Sequence, residues 1–163
     1  MFPKVDEHAP DLDLLDEAGR PVKLSSLVGR GPLVVLSFPN PDDTAGVKLV
    51  RGFRDRTLAL RKAGVSICGI AQAEPAALAY MRAERGLGFP LFADPDGWLD
   101  QTGLLLVDRN LTVKQRAVGE RADADSMLKF IRRGGARPSR VRDRVGHLLL
   151  ALSHAITPRR LAR

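Results

Sequence analysis

The 163-residue sequence holds a single cysteine, Cys68. One cysteine excludes an intramolecular disulfide, a CxxC redox pair and a cysteine zinc cage. Any dithiol chemistry would need a second protein or a small thiol. Aromatic residues are scarce at 5%, and none falls among the arginines that end the chain. That absence disfavours nucleic-acid binding by base stacking. No stretch reaches the roughly 18 uncharged apolar residues of a membrane span. The opening residues, Met1 to Glu7, have no apolar run of the secretory kind, so a cytoplasmic location is expected. There is no GxGxxG, Walker loop, HExxH or triad signature. His8, His147 and His154 lack metal-ligand spacing, so surface or packing roles are expected for them, with no metal and no cofactor.

What is present is ordinary for a globular chain: 44% apolar and 28% charged residues, at a length that suits one domain. The net charge of +7 is unevenly placed. Residues 136–163 carry seven arginines and one acid, Asp143, leaving about +1 for residues 1–135. The high isoelectric point therefore describes a tail on a near-neutral body.

Along the chain, Leu12–Asp16 and Pro21–Leu24 alternate around a Glu17–Arg20 turn and predict a β-hairpin. Ser25–Gly29 predicts one helical turn. Pro32–Phe38 is a continuous apolar run, as in a strand buried on both faces. Asp43 or Thr44 is placed to cap the following helix through a side-chain oxygen. That helix runs to about Lys62, with Val47, Val50, Phe53 (or Arg54) and Leu58 as its apolar stripe. Val65–Ile70 is a second buried strand. A helix with Pro75 in its first turn ends near Gly86. Phe89–Phe92 then leads into the turn Asp94-Pro95-Asp96-Gly97. Leu104–Asp108 is a third buried strand, Leu111–Val118 its hairpin partner, and Asp123–Arg133 a last helix of the body.

The order is that of a thioredoxin-like three-layer α/β/α sandwich with a mixed central sheet, spanning residues 1–133. Residues 134–138 read as a linker. Residues 139–163 form a basic tail whose amphipathic helix places Val141, Val145, Leu148, Leu149, Leu152 and Ile156 on one face.

Several segments resemble the peroxiredoxins, the alkyl hydroperoxide reductase/thiol-specific antioxidant or redoxin group, and their bacterioferritin-comigratory branch. They are Ala9-Pro10-Asp11-Leu12, Leu24–Gly29, Val34–Phe38, Asp42-Asp43-Thr44-Ala45-Gly46, Gly52–Asp55, Phe89–Gly97 and Leu105–Asp108. They follow one another in order over about residues 5–133. The resemblance implies a peroxidatic thiolate at the first turn of the first long helix, in the motif P-x-x-x-T-x-x-C, and an arginine ahead of the third buried strand. A helix N-terminus would lower the pKa of that thiol. Here Thr44 keeps the threonine position. The proline position falls on Asn40, between Pro39 and Pro41, the cysteine position on Val47, and the arginine position on Thr102. Valine has no nucleophile, and residues 1–67 contain no cysteine that a shifted alignment could supply. Arg116 is the nearby arginine that could turn inward.

Each remaining candidate has a plain reading beside a functional one. Cys68, mid-strand, reads first as a small core hydrophobe and second as a reactive thiol. Asp42-Asp43-Thr44 reads first as a cap and second as the edge of a vestigial pocket formed by Thr44, Val47 and Thr102. Trp98 reads as a core plug or cover. For the tail, packing on its own domain or on a dimer mate is favoured over an anionic membrane surface, and both over nucleic acid. The favoured function is a non-peroxidase binding or partner module of redox systems, with Val47 and Thr102 in place of reactive groups. The alternative is a one-cysteine thiol peroxidase or oxidoreductase acting through Cys68.

Overall fold

The structure, a computed structural model, describes residues 2–135. The hairpin is formed by β1 (Asp13–Leu15) and β2 (Pro21–Lys23), and the single turn α1 (Leu24–Leu27) follows. Then come β3 (Leu33–Ser37), α2 (Thr44–Lys62), β4 (Ser66–Ala71), α3 (Pro75–Arg85), β5 (Leu91–Ala93), β6 (Gly103–Val107), β7 (Val113–Val118) and α4 (Ala124–Arg132). The tail helix and most of the linker lie outside the described residues.

One mixed sheet runs β2-β1-β5-β4-β3-β6-β7. β3 lies parallel to β4 and antiparallel to β6, and β4 lies parallel to β5. All residues of β3 and β6 are buried, which matches their unbroken apolar runs. Side-chain alternation divides the core in two. Val34, Leu36, Ile67, Leu104 and Leu106 pack with α2, α3 and α4 on one face. Leu33, Val35, Cys68, Leu105 and Val107 pack on the other, under Phe2, Leu12, Leu24 and Leu111. The third layer is thus thin, built from α1, the N-terminal segment and loops.

Several expectations change. β5 is an additional strand, joined to β4 through Gly69↔Leu91 and Ala71↔Ala93. The buried stripe of α2 is Leu49, Val50, Phe53, Thr57 and Leu60. Leu58 is instead 65% exposed, because it sits five residues past Phe53, well off the inward face. Thr57 takes the inward place, and its hydroxyl donates to the Phe53 carbonyl at 2.8 Å. Trp98 is half exposed rather than a core plug. Asp43 is the N-cap residue of α2, but its side chain accepts no capping hydrogen bond, and Thr44 is already helical.

Candidate functional site

β3 delivers the chain to the start of α2 at the end of the sheet where β4 and β5 also finish. The Phe38 amide donates to Ile70 and the Gln72 amide to Pro39, tying the loop to the neighbouring strand. Asn40 Oδ1 accepts from the Asp42 amide at 3.0 Å, and the Asn40 carbonyl accepts from the Asp43 amide at 3.2 Å. This turn folds over the first turn of α2 so closely that a Cβ at Gly46 would stand 3.1 Å from the Phe38 Cβ and 3.2 Å from the Asn40 oxygen. Gly46 is therefore needed where it is.

Thr44 is exposed and Val47 half buried, and the Val47 amide donates to the Asp43 carbonyl at 2.9 Å. Thr102 is half buried just ahead of β6. Its carbonyl accepts from the Gly119 amide at 2.8 Å, while the preceding Gln101 carbonyl accepts from the Ser37 hydroxyl at 2.7 Å. These bonds tie the Thr102 backbone between the ends of β3 and β7. Beside Thr44 lies an open cavity of about 650 Å³, between the first turns of α2 and the Gly119–Ala124 turn into α4. Thr44 lines it; Val47 and Thr102 are not among its lining residues.

Arg116 does not turn toward this end. It pairs with Leu105, on the face away from α2, and its guanidinium lies over the Phe2 ring at 5.6 Å from the centroid. Cys68 pairs with Val35 on that same far face and is 1% exposed. The sheet stands between its thiol and α2. Burial pushes the thiol up from its ordinary value of 9.0 to about 12. A second cavity, about 290 Å³, lies at the opposite end of the sheet and includes Cys68 in its lining along with Arg61, Ser66 and Pro90.

Sequence reasoning missed the part Asp94 plays. Its carboxylate is buried, and Oδ2 accepts from the Leu99 amide at 3.1 Å, closing the loop that carries Trp98. The DPDG signature marked the turn but not this inward carboxylate. Among the described residues, no group of three His, Cys, Asp or Glu could hold a metal ion, and no helix is long and apolar enough to cross a membrane.

A mixed sheet with a long helix starting where β3 ends, and a threonine in its first turn, defines a thioredoxin-fold protein of the peroxiredoxin kind. The AhpC/TSA family profile matches residues 5–116, and the chain belongs to that family. It is 33% identical over 111 residues to the bcp protein of Coxiella burnetii, classed as a peroxiredoxin; the match takes in 68% of this chain and 72% of that one. A mycobacterial relative so classed, from Mycobacterium tuberculosis, is 34% identical over 90 residues, 55% of this chain. Here the chain spans only 57% of the relative's length. Among solved structures, peroxidoxin BcpB of M. tuberculosis superposes with a TM-score of 0.73 at 23% identity, over 80% of this chain and 97% of that one. The Xanthomonas campestris bacterioferritin comigratory protein does so with 0.67 at 20% identity, over 77% and 92%. At these identities the structural likeness speaks for the fold alone.

Proposed function

We propose that this member of the family does not reduce peroxides through a thiol of its own and serves as a binding or partner module of redox systems. The observation that carries this reading is the first turn of α2, which presents Thr44, Ala45, Gly46 and Val47 and no nucleophilic sulfur. A peroxidase of this type needs a thiolate at that helix start, where the backbone N–H groups stabilise negative charge. Cys68 is not a substitute, because it is buried on the far face with a thiol that stays protonated at neutral pH. Thr102 also leaves the developing negative charge of a peroxide reaction without a guanidinium at the arginine position.

The test is thiol-dependent consumption of hydrogen peroxide by the full chain. Wild type and Cys68→Ser are both expected to match the protein-free rate. Turnover in wild type that disappears in Cys68→Ser would establish the one-cysteine alternative instead. Val47→Cys is expected to introduce a thiol that labels rapidly in the native state, whereas wild type labels only after unfolding.

A further inference from the structure

The cavity beside Thr44 is a groove with an apolar floor and an acidic rim. Ala45, Leu49, Gly52 and Ala122 form the floor, and Asp43 and Glu120 stand exposed at its edge. We propose that the basic C-terminal segment of the same chain, residues 139–160, seats in this groove as an amphipathic helix. The inference is independent of how Val47 and Cys68 are read.

Direction and length support it. α4 closes in a Schellman turn. Gly134 has φ 87°, its amide donates to Ile131 at 3.0 Å, and the Gly135 amide donates to Phe130 at 3.2 Å. Pro138, soon after, opposes any straight continuation of α4. α2 and α4 set out from the same end of the sheet. Gly52 faces Ala124 across the groove, and Arg56 pairs with Asp125 at 2.7 Å. The start of α4 is therefore level with the third turn of α2. From there the groove rises to Asp43, nine residues or about 14 Å of helix. α4 itself, also nine residues, is about 14 Å long. An eighteen-residue helix over 139–156 reaches about 27 Å. Laid back antiparallel to α4, its first half covers α4 and its second half enters the groove.

Chemistry supports the same register. Residues 145–158 carry no Asp, Glu, Lys or Arg, and Leu148, Leu149, Leu152 and Ile156 share a face that meets the floor. Arg159 and Arg160 follow at the level of Asp43 and Glu120. An anionic lipid surface favours basic residues spread along the polar face of a helix. Here the charge is confined to the two ends of the segment, which fits a groove that is apolar along its length and acidic at one end.

Hydrogen exchange on the full chain tests the proposal. Leu148→Glu/Leu152→Glu is expected to speed exchange of the amides of residues 46–52 on the order of tenfold, with β3 amides unchanged as the folding control. Arg159→Glu/Arg160→Glu is expected to act in the same direction. Identical exchange at 46–52 in wild type and both variants would overturn the proposal. So would protection that vanishes on dilution as a dimer dissociates, or that arises only with vesicles of anionic phospholipid; these would assign the segment to a second copy or to a membrane.

Discussion

Burial alone sets the chemistry of Cys68. Its side chain sits among Val35, Ile70 and Phe92 with no charged neighbour to favour the thiolate, so desolvation raises the pKa to about 12. A folded-state pKa above the unfolded one contributes stability that is fully present below the unfolded value. That contribution is lost as pH rises toward the folded one. Between about pH 9 and 12 the thiol ionises only on unfolding, which steepens the alkaline loss of stability by about 1.4 kcal/mol per pH unit. Urea denaturation across that range is expected to show this slope in wild type and a shallower one in Cys68→Ala. Equal slopes would mean that the thiol ionises without unfolding.

The two long helices on the groove differ in how they begin. Asp123 caps α4 by accepting from the amides of Asp125 and Ser126 and from the Ser126 hydroxyl, and these bonds hold its carboxyl below the ordinary range. Asp43 occupies the same position on α2 and accepts no such bond. Asp123→Ala is expected to cost about 1 kcal/mol and Asp43→Ala less than about 0.5 kcal/mol, both read from urea midpoints. Because the Asp123 pKa is lowered, its cap contributes above the unfolded carboxylate range and is lost as pH falls through the folded value. The Asp123 advantage should therefore vanish in acid. Cap geometry of this kind is not legible in a sequence, where both aspartates precede a helix in the same way. Legible were the elements with long patterns: the runs of β3, β4 and β6, and the bounds of α2 and α3. β5 was not, because Leu91-Phe92-Ala93 is too short to show a period. Thr57 was not, because its inward place depends on a backbone bond within the helix. At the candidate site, the occupants of the thiol and arginine positions could be read from residue spacing. That Arg116 lies across the sheet depends on strand register, which no local pattern reveals.

Over the whole molecule, the sheet is unevenly joined. β3 shares five register pairs with β4 and five with β6, whereas the β1–β2 hairpin meets β5 through Leu15↔Ala93 alone. An ion pair from Arg82 to Glu17, itself largely exposed, adds little to that joint. Native-state hydrogen exchange is expected to release the amides of residues 13–23 by a local opening of lower free energy than those of β3, β4 and β6. Exchange of all strands at one common rate would show a single cooperative unit instead.

That weak joint has a consequence for how copies of the chain behave when crowded. When the hairpin lifts, β5 loses its outer neighbour and displays the backbone N–H and C=O groups of a short, wholly apolar strand. A hairpin from another molecule can fill the vacated place with the same pairing. The route from monomer to exchanged dimer thus runs through one register pair, and strengthening that pair would close it.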